Sequence, residues 1–269
     1  MQNSIIYCLS IHDELLNTIR NIKYIPVGLG ENTFGPEWLK DNTGKNISSK
    51  NKFYGEYTFH YWLWKNKFNE IPSNTWLGFS TYRRHWKKNN KPINKNYVIE
   101  NEILQDVPDE WESYETILAD KIDVRGLKFM KILKHGKLAL LKNPSAIFKK
   151  NRNLKFNFDM YHGCGLLDKA INLLDSKNKD DFFNFVKKNT EFSPYNMFIC
   201  KNKIKLDEFY ETLFEWLTKC EKIFGFDLEG YGKIRIYGFL SERFMPFWFN
   251  KNTKVLEWPV LFHDLRERK

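Results

Sequence analysis

The sequence predicts an α/β fold. Short apolar runs of β character recur through the N-terminal side at residues 4–11, 24–27 and 76–81, with helix-like or polar stretches between them. Longer helical patterns dominate after residue 159. With 269 residues, the chain is long enough for one large α/β domain and a sizeable core, which its 23 Phe, 13 Tyr and 9 Trp help to fill.

Residues 4–11 read as a first strand, 13–22 as a brief helix or loop, and 24–27 as a second strand broken by Gly28-Leu-Gly30. Residues 42–49 are polar and turn-rich, and Ser48 or Ser49 is placed to cap a helix over 52–65. On that helix Glu56, His60 and Trp64 share a face. A strand at 76–81 ends in Tyr82-Arg83-Arg84-His85-Trp86, and another is expected over 114–119. Helices follow at 160–174, 179–188, 205–224 and 237–248, with a strand near 195–200.

No uninterrupted apolar run approaches the roughly 18–20 residues of a membrane-spanning helix, and the first residues lack the basic-then-apolar layout of a secretory signal. A cytoplasmic protein is therefore expected. Cys8, Cys164, Cys200 and Cys220 form no CxxC pair, so they are expected to be reduced rather than to bind zinc or form disulfides.

The formal charge is +10, and residues 124–158 carry all of it: ten basic residues and no acidic ones, leaving 33 of each sign elsewhere. These ten are Arg125, Lys128, Lys131, Lys134, Lys137, Lys142, Lys149, Lys150, Arg152 and Lys155. Interleaved with Leu127, Phe129, Met130, Ile132, Leu133, Leu138, Leu140 and Leu141, they read as a basic amphipathic segment able to rest on anionic lipid, or as a solvated basic face. No helix-turn-helix, zinc-finger or single-strand-binding signature accompanies the charge, so nucleic acid is not expected as a partner.

In an open α/β sheet, ligands bind beyond the carboxyl ends of the strands. Gly28-Leu-Gly30 there allows either close backbone approach to a ligand or a plain turn. Arg83 and Arg84, with Tyr82, suit bidentate recognition of a diphosphate, or surface ion pairs. In the apolar helix Tyr237-Gly-Phe-Leu-Ser241-Glu242-Arg243, Glu242 and Arg243 either pair internally or face a polar cleft.

Four ordered blocks carry a family resemblance: Asp41-Asn-Thr-Gly44-Lys-Asn46-Ile-Ser48 with Asn51-Lys52-Phe-Tyr-Gly-Glu56 and Tyr61-Trp-Leu-Trp-Lys-Asn66; Trp76 through Arg84; Tyr195-Asn196-Met-Phe-Ile199; and Gly238 through Arg243. Over about residues 4–250 the chain resembles the domain of bacterial capsular and exopolysaccharide synthesis proteins. The resemblance implies a single-domain GT-A-like glycosyltransferase that moves a sugar from a nucleotide-diphosphate donor, a UDP-sugar first, onto a surface polysaccharide or lipid-linked acceptor. It implies a nucleotide-sugar half over 1–122 and an acceptor and catalytic half over 159–269; the basic segment between them, over 123–158, suits a peripheral position at the inner face of the membrane. Together with the strand-end reading, it makes Gly28, Gly30, Asp41, Asn46, Lys52, Tyr82, Arg83, Arg84, Asn196 and Arg243 the expected donor-binding residues.

Thr81 stands where that family has His before Tyr-Arg-Arg, so a role for that His does not transfer. The chain also lacks the Asp-x-Asp pair that holds a divalent metal such as Mn or Mg, Asp227-Leu-Glu229 being the nearest imitation. No metal ligands are assigned, metal dependence stays open, and Arg83 and Arg84 are expected to neutralise the diphosphate. Glu242 and Asp159 are the candidate bases for the acceptor hydroxyl, with His162 assisting. Two alternatives are a scaffold of the capsule machinery without catalysis and a transferase of a phosphate-linked group.

Overall fold

The computed structural model describes residues 3–94, 96–126 and 129–267. Leu127 and Lys128 of the basic segment lie outside the described residues, as do the side chains of Phe129, Lys131 and His135. The strands are β1 (Ser4–Ser10), β2 (Ile25–Gly28), β3 (Leu39–Lys40), β4 (Trp76–Thr81), β5 (Arg84–Trp86), β6 (Thr116–Ala119), β7 (Ile122–Asp123), β8 (Glu191–Phe192), β9 (Phe198–Cys200), β10 (Val255–Trp258) and β11 (Val260–Phe262). The α-helices are α1 (Leu16–Asn21), α2 (Asn51–Tyr54), α3 (Tyr57–Asn66), α4 (Ile99–Glu102), α5 (Phe129–His135), α6 (Lys137–Lys142), α7 (Leu154–His162), α8 (Leu166–Ile171), α9 (Lys179–Lys188), α10 (Lys203–Phe224), α11 (Tyr231–Ile234) and α12 (Ile236–Asn252). The α/β class is as expected, with helices dominating the C-terminal part.

Contacts divide the chain into two compact units. The first contains residues 1–120, 195–210 and 249–269; the second contains 121–194 and 211–248. Two later stretches of the chain, 195–210 and 249–269, return to the first unit.

The first unit is built on a sheet of order β10-β6-β9-β4-β1-β2-β3, with β5 and β11 attached to β4. β1 pairs in parallel with both β2 and β4, whereas β9 runs antiparallel between β4 and β6. Its central strands are covered on both faces, which explains their continuous apolar sequence. Ile6, Cys8 and Trp76 point into one layer with Ile19, Trp111 and Trp258. Tyr7 and Phe79 point the other way, where Tyr7 meets Phe59 edge-on at 5.0 Å and Phe79 lies 5.0 Å from Phe198.

Two expectations differ from the structure. The helix expected over 52–65 is broken at Gly55, whose φ of 59° ends α2 before α3 begins. Ser48 lies in a 3-10 turn and bonds Asn46 rather than capping a helix. Tyr82 and Arg83 form a two-residue hairpin turn between β4 and β5, a turn without the Gly or Asn that usually marks one.

The second unit is mainly helical. Phe182 on α9 packs 5.3 Å from Phe244 and 5.1 Å from Phe247, and Trp216 donates its indole N–H to the Ala170 carbonyl at 2.7 Å. The helix expected over 160–174 starts earlier, at Leu154, where Asn153 accepts the Phe156 N–H at 2.9 Å as an N-cap. It stops after His162, because Gly163 and Gly165 take φ values of 107° and 82° before α8. All four cysteines are unpaired.

Candidate active site

From β1 the chain runs to β2 and β3 on one side and then returns to β4 on the other. The carboxyl ends of β1 and β4 therefore flank a topological switch point, the usual ligand crevice of such a sheet. Ser10 ends β1 in a tight turn, its hydroxyl accepting the His12 N–H at 2.9 Å. The Ser10 carbonyl accepts the Leu29 N–H at 3.0 Å, and the Leu9 carbonyl accepts the Tyr82 N–H at 3.1 Å. The β2–β3 turn and the β4–β5 hairpin are thus both tied to the end of β1.

Gly28 and Gly30 have different reasons to be glycine. A Cβ on Gly28 would run into the Phe34 ring, so its lack of a side chain serves packing. Gly30 has a φ of 71° and donates its N–H to Asp41 at 2.8 Å. Asp41 is fully buried. Burial pushes its carboxyl above the usual range, while the Thr58 hydroxyl and the Gly30 amide pull it back. Asn51 donates to the Thr58 hydroxyl at 3.0 Å and completes this support.

The rest of that block docks a loop on α3. Trp62 donates to the Thr43 hydroxyl at 3.0 Å, and Asn66 holds both the N–H and the carbonyl of Lys45. Asn46 accepts from Ser48 at 2.9 Å and donates to the Gly44 carbonyl, so its side chain is spent on the loop. Lys52 is exposed and lies over the Phe53 ring.

The paired arginines separate in role. Arg83 is bound to Asp264 at 3.1 Å, and Asp264 also holds Arg266 at 2.6 Å. Arg266 foremost keeps the Asp264 carboxyl well below the usual carboxylate range. Arg84 makes no ion pair with the described residues; its guanidinium carbon lies 4.2 Å from the centre of the Tyr195 ring and 5.6 Å from that of Phe262. Tyr82 meets His12 edge-on at 4.9 Å. Tyr195 and Asn196 take left-handed φ values of 78° and 55°, and Asn196 is nearly buried. Such strain gathers where a local geometry has to be held.

The remaining candidates belong to the second unit. Asp159 receives Lys155 at 2.7 Å and the Gly165 N–H at 2.9 Å, so each of its oxygens has a partner. His162 stacks on Phe239 at 3.8 Å, and its Nδ1 lies 3.1 Å from the Gly232 carbonyl. Burial, reinforced by Arg243, pushes it down to about 3, so the ring is neutral and structural at ordinary pH. Arg243 is buried, bonded to Glu242 at 2.6 Å and to Asn157 at 3.0 Å, with Phe192 beneath its guanidinium at 3.9 Å. The internal pair anticipated for Glu242 and Arg243 is therefore formed, and the Glu242 side chain retains 17% exposure.

Sequence reasoning noted Tyr195 only as part of a block and missed Ser10, His12, Thr58 and Asp264. Ser10 falls inside the expected strand, His12 has only its place just after it, and Asp264 carries no local signal. Among the described residues, no group of three or more His, Cys, Asp or Glu side chains is placed to hold a metal ion, and Asp227 and Glu229 are both exposed.

Residues 6–253 match the family described as a domain of unknown function, DUF4422. No curated protein matches the sequence. Among solved structures, the apo form of the bifunctional glycosyltransferase WbbM is similar in fold, with a TM-score of 0.64 at 18% identity. The alignment covers 97% of this chain and 45% of WbbM, so the chain spans less than half of that protein.

Proposed function

The chain belongs to the DUF4422 family, and from that premise and the fold we propose that it is a glycosyltransferase that moves a sugar from a nucleotide-diphosphate donor, a UDP-sugar first, to a saccharide or lipid-linked acceptor of a surface polysaccharide. The observation that carries this reading is the switch point of the first unit. There one sheet edge brings the Gly30–Asp41 turn, the Ser10 turn and the β4–β5 hairpin together. Arg84 stands on that hairpin with no carboxylate partner among the described residues.

In glycosyl transfer, the bond between the anomeric carbon and the diphosphate oxygen breaks, and the acceptor oxygen bonds that carbon as its proton leaves to a base. Negative charge grows on the departing diphosphate, so a fixed cation with no competing carboxylate acts where it is most needed. Arg84 fills that role. Arg83, tied to Asp264, fixes the hairpin that presents it. Asp41 holds the Gly30 turn. For the acceptor proton, the candidate bases are Glu242 and Asp159 of the second unit, each already held by a cation, while His162 is buried as a neutral ring.

The test is calorimetric titration of the chain with uridine and guanosine diphosphates, followed by turnover across a panel of nucleotide-sugars with product mass determined. Binding of neither diphosphate, together with no sugar transfer across the panel, would overturn the reading. A product carrying phosphate would move the assignment to transfer of a phosphate-linked group.

A further inference from the structure

The basic segment contributes less charge to the surface than its sequence suggests, and more apolar area. Arg125 is paired with Asp123 at 2.8 Å, and Lys155 lies between Asp159 and Asp168. Arg152 is buried, its guanidinium donating to the carbonyls of Ala146, Arg125 and Ile147. Of the other seven, Lys128 and the Lys131 side chain lie outside the described residues, and Lys134, Lys137, Lys142, Lys149 and Lys150 are exposed with none in an ion pair with the described residues.

Between these lysines stand Met130, Leu138, Leu141, Ile147 and Phe148, with exposures of 73%, 68%, 76%, 47% and 63%. Their exposure follows from how the segment is anchored. Ile132, Ala139 and Ala146 face inward onto Phe156 and Met160 of α7, and Leu140 packs against the same cluster. At the elbow between α5 and α6, a Cβ on Gly136 would fall 2.6 Å from Met160, so that close approach requires glycine. With the inner set fixed, Leu138 and Leu141, three apart on α6, are turned outward.

The same face opens onto a pocket of about 510 Å³ within the second unit, lined by Lys134, Lys137 and Lys233 among Leu138, Tyr161 and Leu228. Its one lining carboxylate, Asp159, is already paired with Lys155. A solvated basic face has no use for five outward apolar side chains. A nucleic-acid surface would want several stacking rings or arginines, and of these five side chains Phe148 alone is a ring. Lysines that reach outward beside short apolar wedges match the boundary between anionic headgroups and acyl chains.

We propose that this face docks on an anionic lipid surface: Met130, Leu138, Leu141, Ile147 and Phe148 enter the acyl boundary, the five lysines engage headgroup phosphates, and the Lys134–Lys137–Lys233 pocket seats one headgroup. The inference does not depend on the transferase reading, because its test reads lipid binding and not sugar transfer.

The experiment is co-sedimentation of the full chain with vesicles of phosphatidylcholine alone or mixed with phosphatidylglycerol, at low and raised salt. The native chain is expected to bind only the mixed vesicles and to weaken with salt. Changing all five exposed lysines to Gln should reduce binding by about tenfold or more. Leu138→Ser with Leu141→Ser and Phe148→Ser should weaken binding comparably at low salt while leaving circular dichroism and Tm unchanged. Lys233→Gln, which lies outside the basic segment, should weaken it by about threefold. An environment-sensitive dye on Leu141→Cys should shift to the blue only with mixed vesicles. The proposal is overturned if the native chain ignores mixed vesicles at low salt, or if the triple Ser variant binds as the native chain does with no dye shift. It is also overturned if an oligonucleotide binds both chains equally and displaces the native one from vesicles.

Discussion

The guanidinium of Arg84 lies 4.2 Å from the centre of the Tyr195 ring, and Tyr195 reaches that position with a backbone φ of 78°. A Tyr in the left-handed region costs about 1–3 kcal/mol, so the surrounding fold is enforcing the arrangement. Arg84→Ala is expected to weaken uridine diphosphate binding by about 1.5–3 kcal/mol, the range of a charge-assisted contact, with little change in Tm. Arg83→Ala removes a half-exposed pair whose carboxylate keeps Arg266, so its stability cost should stay under about 1 kcal/mol. Calorimetry on both variants checks this; equal affinity of Arg84→Ala and the native chain would remove Arg84 from the donor site.

Asp41→Ala leaves the Gly30 N–H without its buried acceptor and should lower stability by about 1–3 kcal/mol. Asp41→Asn keeps an acceptor oxygen and should recover most of that loss. Urea unfolding of the two variants separates them. A Gly30 turn that needs only an acceptor will show Asn close to native, whereas equal losses would show that the ionised carboxylate matters.

Glu242 and Arg243 form a pair in which the guanidinium is the more deeply buried partner. Glu242→Ala uncovers that cation and is expected to cost about 3 kcal/mol of stability. Glu242→Gln keeps a hydrogen-bonding oxygen, so it should fold, retain nucleotide affinity and lose kcat by about a hundredfold, the loss associated with a missing general base. Unchanged kcat per folded molecule in Glu242→Gln would confine the pair to a structural role.

Three buried histidines set the acid limit of the fold. Burial pushes His60 down to about 3, His85 to about 4 and His162 to about 3, from an ordinary value of 6.5. Between those values the unfolded chain binds more protons than the native one. Stability from these rings is therefore complete above about pH 6.5 and falls as the pH drops toward 4 and below, by about 1.4 kcal/mol per pH unit for each. Asp264, held low, adds the same sign at the acid end, whereas Asp41, raised by burial, opposes it. His60→Gln should flatten the dependence of unfolding free energy on pH between 6 and 4. A slope identical to that of the native chain would show that His60 does not carry it.

The strands β1 and β4 are legible in the sequence because both of their faces are buried, which leaves an apolar run with nothing polar to interrupt it. Glu242 and Arg243 are legible for the opposite reason, as adjacent charges in an apolar helix. The hairpin at Tyr82 and Arg83 carries none of the usual turn chemistry and reads as a strand end. β10 and β11 are short and separated by Pro259, so they resemble a tail. The bond from Arg83 to Asp264 spans 181 residues, and nothing local to either side chain announces the other. The charge of the basic segment is plain in the sequence, but the withdrawal of Arg125, Arg152 and Lys155 from its surface depends on tertiary partners.

The placement of β9 between β4 and β6 has a consequence for the order in which the chain comes together on the ribosome. β1, β2 and β4 all emerge early and have one another as partners. The outer edge of β4 then waits while residues 82–197 are made, because its neighbour is β9 and not β6. A nascent chain halted in that interval carries an unpaired apolar strand edge, the kind of surface that chaperones hold and that strays into aggregates. β10 and β11 follow β9, and after them comes Asp264, which clamps the hairpin beside the switch point. Closure of the crevice at the switch point therefore waits for the segment that carries Asp264.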